Sequence, residues 1–304
     1  VSIPPIKGLQ TTEYITSREA LELKAVPQSI VIVGGGVIGM EFAGLFNTLG
    51  SKVSVIEMAT EILPPVDSEI AAMLHAEYKK QGIDFFVGAK VTELQNNKVL
   101  FTDNQGNEQS IDTEKILLCV GRKPSLKGIE ILDLEPFRNG IKVNDKMQTS
   151  KTNVYAAGDI TAFSMLAHTA VREAEVAVNN IVGKSDTMAY NAVPAVVYTN
   201  PEVAGVGLTE DELKAQGRSY SVRKLPMTFS GRFVAENEGG NGLCKLIFDD
   251  RNTIVGCHMI GNPSSEIIAV AALAIEQQLT AERFEKLIFP HPSVGEIIKE
   301  TLFA

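Results

Sequence analysis

One stretch constrains the fold more than any other: Ile30-Val31-Ile32-Val33-Gly34-Gly35-Gly36-Val37-Ile38-Gly39-Met40-Glu41. The apolar run predicts a buried parallel strand, the glycines a tight turn, and the apolar spacing beyond them a helix. Gly34, Gly36 and Gly39 fall on G-x-G-x-x-G. In that pattern the first glycine permits the turn, the second lets backbone approach a pyrophosphate, and the third lets helix pack on strand. A phosphate there would meet the open N–H groups and positive end of the helix. Phe42, Leu45, Phe46 and Leu49 continue one helical face, and Gly50 can end it. A second strand, Lys52-Val53-Ser54-Val55-Ile56-Glu57, closes on an acid about 20 residues past the last glycine. Glu57 can hold both ribose hydroxyls and repels a 2′-phosphate. Met58, Ala59 and Thr60 offer no cation for such a phosphate, so NAD is favoured over NADP. The competing reading is a solvated glutamate on a purely structural βαβ unit.

At 304 residues and 44% hydrophobic content the chain suggests about two domains with a sizeable core. No apolar run approaches the roughly 18 residues needed to span a bilayer. A net charge of −9 without a Lys/Arg cluster argues against nucleic acid. The chain starts at Val1 with no charged-then-apolar leader and reads as trimmed rather than signal-bearing. Cys119, Cys244 and Cys257 are far apart in apolar runs, which suits buried thiols in a reducing compartment better than a disulfide frame or metal site.

Thr16-Ser17-Arg18-Glu19 caps a short helix that Pro27 stops. A helix entered near Asp67 carries Ile70, Met73, Leu74 and Tyr78 on one face and ends at Gly82, with His75 off the stripe as a surface residue. Residues 83–87 form a strand, and residues 90–94, 98–102 and 108–111 a small antiparallel meander. Residues 115–121 return as a buried strand, so Gly121 lies beside the cofactor crevice of a mononucleotide fold. Residues 152–159 predict a short strand ending in Gly158-Asp159. A helix after Met165-Leu166-Ala167-His168 carries Ala170, Val171, Ala174, Val178 and Ile181 inward. Asp159 can accept hydrogen bonds from a polyol, and the first N–H groups of that helix can meet an electron-rich carbonyl. A plain turn aspartate and a capping His168 fit the same residues.

From residue 191 the pattern is a separate α+β unit. Its strands fall at 195–198, 203–207, 221–226, 243–248 and 253–260, with His258 structural. A capping box at Thr209-Glu210-Asp211-Glu212 opens a helix that closes at Gly217. The helix at 267–277 is apolar nearly all round, which suits an oligomer interface. His291 sits between Pro290 and Pro292 ahead of a helix. Glu296 can bond one ring nitrogen and leave the other to exchange protons. Ser293-x-x-Glu296 is equally a plain capping box.

Together these segments resemble the pyridine nucleotide-disulfide oxidoreductases, and among them the dihydrolipoamide dehydrogenases, over nearly the whole chain. The pieces that carry it are residues 34–41 with Glu57, Val120-Gly121-Arg122-Lys123-Pro124, 152–159 with 165–168, Tyr198-Thr199-Asn200-Pro201-Glu202-Val203-Ala204, and 291–296. The resemblance implies an α/β architecture. A Rossmann-like NAD domain with an antiparallel meander would span 1–122, the remainder of a flavin-contacting domain 123–190, and an α+β dimerisation domain 191–304. It implies NAD contacts at Gly34, Gly35, Gly36, Val37, Ile38, Gly39, Met40, Glu41, Glu57, Val91 and Gly121. It implies FAD contacts at Asp159, Met165, Leu166, Ala167 and His168, and an acid–base pair in His291 and Glu296. The His291–Pro292 bond is expected to be cis, with His291 reaching into the partner subunit's site of a homodimer to deprotonate a dithiol. Electrons would pass from dihydrolipoamide through a redox disulfide and FAD to NAD. The lipoamide would arrive on an acyltransferase or carrier protein of a 2-oxoacid dehydrogenase or glycine cleavage complex, in the cytoplasm of a bacterium.

The family's flavin-domain G-x-G-x-x-G and its C-x-x-x-x-C pair should precede residue 1, and no two of the three cysteines have that spacing. The chain is therefore expected to be a fragment that neither holds FAD firmly nor reduces lipoamide. Phe289-Pro290 before His291 and Gly295 before Glu296 depart locally from the family pattern. Glu57 argues against the NADP-using glutathione reductases. Another disulfide reductase or an NADH oxidase of the same architecture, and a non-catalytic NAD-binding dimer scaffold, are the alternatives.

Overall fold

A reciprocal capping box between Thr16 and Glu19 opens α1 (Ser17–Leu21), ahead of β1 (Ser29–Val33). After the glycines come α2 (Val37–Thr48), β2 (Lys52–Glu57), α3 (Ser68–Lys80) and β3 (Asp84–Val87). The meander is β4 (Lys90–Gln95), β5 (Lys98–Thr102) and β6 (Glu108–Asp112), and β7 (Lys115–Leu118) returns beside β1. The parallel sheet runs β3-β2-β1-β7, with Val33 opposite both Ile56 and Leu118. Alternate residues of β1 feed two cores, as a strand buried on both faces must. Ile30 and Ile32 pack with Met40, Phe42 and Phe46 of α2 and with Ile70, Leu74 and Tyr78 of α3. Val31 and Val33 pack with Leu94, Val99 and Phe101 of the meander. Each such buried side chain contributes about 1.5–3 kcal/mol.

The computed structural model describes residues 1–304. These divide into two units, Ile3–Gly121 with Pro194–Ala304, and Arg122–Val193 with Val1–Ser2. The second unit holds the hairpin β8 (Pro136–Phe137) and β9 (Gly140–Ile141), then α4 (Ala167–Ile181), around Val143, Met147, Val176, Ala177 and Met188. The first unit resumes with β10 (Ala195–Val197), β11 (Val203–Gly207), α5 (Glu210–Ala215), β12 (Ser221–Pro226) and α6 (Gly231–Glu236). It ends with β13 (Leu243–Phe248), β14 (Ile254–Ile260), α7 (Ser264–Glu276), α8 (Ala281–Phe284) and α9 (Glu296–Glu300). Its antiparallel sheet runs β10-β11-β14-β13-β12, and α7 packs on β11 and β14. Val197, Val203 and Ile260 join the same core as α2 and α3, so the N-terminal α/β lobe and the C-terminal lobe share one apolar interior. No helix is long and apolar enough to cross a membrane.

Four sequence expectations change. Residues 152–159 form no strand: Tyr155 makes only an isolated bridge with Gln148, and Gly158 opens a single 3₁₀ turn, Asp159–Thr161. The expected inward face of α4 is outward: Val171 is 61% exposed, Val178 55% and Ile181 60%, and Ala174 is exposed, while Ala170 is half-buried. Thr169, Glu173, Val176 and Ala177 are buried in their place, because the polar groups on that side find partners within the unit. His75 is 8% exposed rather than at the surface; its Nδ1 lies 2.6 Å from Glu61 Oε1 and its ring 4.5 Å from Phe85. On α2, Leu45 and Leu49 face solvent beside the buried Phe42 and Phe46.

Candidate functional site

Gly34 has φ +111, and a Cβ there would lie 2.4 Å from the Cys119 carbonyl, so only glycine makes this turn. A Cβ on Gly39 would lie 2.0 Å from the Gly34 carbonyl, which is why α2 can seat directly on the turn. Gly36 has nothing within 4 Å of that position. It caps α2 without a side-chain bond, leaving the helix's first N–H groups and positive end for an anion. An open second glycine between two crowded ones is the cradle that a dinucleotide pyrophosphate requires.

Glu57 ends β2 beside this loop, and its carboxylate accepts from Gly35 N at 2.5 Å and Ala59 N at 2.6 Å. Two N–H bonds leave acceptor capacity for two hydroxyls. The strand next to β1 ends at Leu118 rather than running to residue 121, and Gly121, with φ +98 and open space at its Cβ position, lies three residues beyond it. Val37 and Ile38 are half-buried in the first turn of α2. The Met40 side chain is fully buried in the core, and Glu41 accepts from Tyr198 N at 3.0 Å. Val91 packs into the core cluster that holds Val33 and Ile56. Two cavities of this unit lie away from the loop. One, of about 220 Å³, is apolar and lies between α1 and α2; the other, of about 690 Å³, lies by Tyr14, Asn97 and Lys115 at the opposite end of the sheet.

His291 Nδ1 stands 3.0 Å from Glu296 Oε2, and the His291–Pro292 bond is cis. An ionised carboxylate only accepts, so Nδ1 carries the proton and Nε2 is left as a base. Glu296 Oε1 also accepts from Ser293 N at 3.4 Å, but the Ser293 hydroxyl is buried without a partner and the N-cap of α9 is Gly295, so Ser293 and Glu296 do not form the capping box that their spacing allowed. The His291 side chain is 80% exposed. In Arg122–Val193, Asp159 is exposed at its turn and Met165, Ala167 and His168 are exposed at the start of α4, with Leu166 half-buried as its N-cap.

All three thiols are free and buried. Burial pushes Cys119 up to about 12, and the hydrogen bond with Cys244 together with burial pushes Cys257 well above its ordinary value. His258 is held by the Leu208 carbonyl at 2.9 Å, and burial lowers its pKa. Thiolate chemistry is not favoured at Cys119 or Cys257, nor proton exchange at His258.

Two polar clusters had no local signal in the sequence. Lys245 Nζ lies fully buried between Asp67 Oδ2 at 2.8 Å, Glu210 Oε1 at 2.5 Å and Glu69 Oε2 at 3.1 Å. Glu173 is equally buried and bonds Gly158 N and Tyr190 Oη. Their members are up to 178 residues apart, beyond the reach of any spacing rule.

Residues 1–174 match the pyridine nucleotide-disulphide oxidoreductase family, and residues 193–302 match its dimerisation domain. The chain is 38% identical to the dihydrolipoyl dehydrogenase of Mycoplasma genitalium over 97% of its own length and 65% of that protein's. With the Bacillus subtilis dihydrolipoyl dehydrogenase it shares 38% identity over 95% of its length and 63% of the relative's. The chain thus spans just under two thirds of these relatives. Among solved structures it resembles the HOCl-induced flavoprotein disulfide reductase RclA from Escherichia coli, with a TM-score of 0.88, 26% identity, and coverage of 100% of this chain and 71% of that one.

Proposed function

The chain belongs to the pyridine nucleotide-disulphide oxidoreductases, and on that premise we propose that it carries the NAD site and the acid–base pair of a dihydrolipoamide dehydrogenase. The observation that carries the reading is the glycine cradle with Glu57 at its edge. The pyrophosphate would sit on the first turn of α2 at Gly36 to Gly39, and Glu57 would accept both ribose hydroxyls. A 2′-phosphate would place two anions together, with no cation among Met58 to Thr60 to hold it. Residues 1–122 would bind NAD, 123–190 contact flavin and 191–304 pair two subunits.

Flavin, when bound, supplies the two-electron relay between nicotinamide and disulfide. Asp159 would accept from its polyol, and the backbone at residues 165–168 would face its ring. His291 would take a proton from the dithiol at Nε2 while Glu296 holds Nδ1–H. Its exposure suits a residue offered to the partner subunit of a homodimer. The dithiol would be a lipoyl group borne by an acyltransferase or carrier protein. The free, buried cysteines support a reducing compartment. A dihydrolipoamide substrate is supported by the higher identity to dihydrolipoyl dehydrogenases, 38% against 26% for the disulfide reductase.

Titration calorimetry of the chain tests the nucleotide reading. NADH is expected to bind and NADPH to bind at least about tenfold more weakly, a difference of about 1.4 kcal/mol. Equal or tighter binding of NADPH overturns the role of Glu57.

A further inference from the structure

We propose that Glu173 is a positioning residue for the Gly158–Asp159 turn, fixing the backbone from which the Asp159 carboxylate is presented. This rests on the reading of Asp159 as a polyol contact. Glu173 is fully buried on α4, and its two oxygens meet only neutral donors. Oε2 accepts from Gly158 N at 2.6 Å and Oε1 from Tyr190 Oη at 2.6 Å. A buried carboxylate without a cation is costly to keep, and a neutral apolar residue at this helix position would pack without that cost.

What the carboxylate holds is a peptide in a conformation reserved for glycine. Gly158 has φ +81 and ψ −157, a region that only glycine enters readily, and a Cβ there would meet Ala170 at 3.3 Å. Its carbonyl accepts from Thr161 N at 2.9 Å and Thr161 Oγ1 at 3.0 Å, and its N–H is taken by Glu173. Both backbone polar groups of Gly158 are therefore fixed, while the next side chain, Asp159, stays exposed. The Tyr190 ring, whose hydroxyl braces the other oxygen, stacks 5.1 Å from Phe163, and Phe163 stacks 4.7 Å from Phe137. The Gly158 turn and Tyr190 thus meet at one carboxylate, with Phe163 and Phe137 stacked in line behind the Tyr190 ring. Burial, and then the Glu173 carboxylate, raise the Tyr190 phenol far above its usual range, so it remains a donor at every physiological pH.

Amide hydrogen exchange on the 304-residue chain tests this without flavin. Glu173→Ala and Glu173→Asp are expected to speed exchange at the Gly158 amide about tenfold or more while leaving the β1 amides unchanged. Glu173→Gln keeps a carbonyl oxygen for Gly158 and an N–H for the Tyr190 oxygen, and is expected to restore protection to within about threefold. If the alanine variant does not fold, the aspartate variant, which keeps the charge but shortens its reach, carries the comparison. Unchanged Gly158 exchange in the aspartate variant, or no rescue by glutamine, overturns the proposal. Asp159→Ala tests the underlying reading separately: Gly158 stays protected, and the weak FAD binding expected of this chain, read as amide chemical-shift changes at millimolar FAD, weakens further only where Asp159 is a flavin contact. Full protection with unchanged FAD affinity removes that reading and leaves the role of Glu173 in the turn intact.

Discussion

At Glu57 the carboxylate assigned to a ribose also receives the Gly35 and Ala59 N–H groups. The oxygens that shape the loop are thus the ones proposed to recognise the ligand, which couples the two effects of a substitution. A Cβ on Gly35 would come within 3.2 Å of Glu57, so the middle glycine is explained by this contact rather than by the phosphate. Glu57→Ala is expected to cost about tenfold or more in NADH affinity by calorimetry and to narrow the preference over NADPH. Retained affinity with an unchanged preference would remove Glu57 from the ribose site. The identity and position of Glu57 were legible because a strand ending in an acid has a sequence signature. Its backbone partners were not, since Gly35 lies 22 residues away across a turn whose path no pattern specifies.

Among elements, α3 is tied to β13 by a charge cluster. Asp67 caps α3 through Glu69 N and Ile70 N, and Lys245 of β13 reaches across to the same carboxylate. Burial alone would lower the Lys245 pKa, but Asp67 and Glu210 more than reverse this and raise it. Burial would raise Glu69 and Glu210, yet their bonds to Lys224 and Lys245 hold both below the usual carboxylate range. A carboxylate depressed on folding stabilises above its unfolded value of about 4.3, and that contribution fades as pH falls through its folded value. Lys245, raised on folding, contributes fully below about 10.4 and loses its share only above that. Lys245→Met removes the shared cation and leaves the buried Asp67 carboxylate without one, while Glu69 and Glu210 keep Lys224, so urea unfolding at pH 7 is expected to show a loss of about 3–5 kcal/mol. Acidification should narrow this gap, because the unpaired acid of the variant protonates first. A gap that widens between pH 7 and pH 5 would contradict the assignment. α4 gives the converse lesson. Its 3.6-residue periodicity marked an apolar stripe, but Val171, Val178 and Ile181 are exposed because the bonded polar side was the one buried.

For the whole molecule, the match to a dimerisation domain over residues 193–302 makes the homodimer the assembly to test. Sedimentation is expected to give about twice the 32.8 kDa chain mass. Leu273 on α7 is 61% exposed and Ile288, ahead of the His291 loop, is 95% exposed. Introducing charge at both, Leu273→Glu with Ile288→Asp, is expected to give monomers with NADH affinity intact; a variant that remains dimeric would move the interface elsewhere. The sequence by itself determined the elements whose cause is local: the parallel strands, the meander, the glycine turn, the capping boxes and the closing histidine–carboxylate pair. Each follows from side-chain period, a missing Cβ or a bond spanning a few residues. Only the tertiary structure decided which face of α4 is buried, that the N-terminal α/β and C-terminal lobes share one core, and which partners satisfy Lys245 and Glu173. Those outcomes depend on desolvation, and a polar group's cost is set by neighbours that reach it only after the chain has closed on itself.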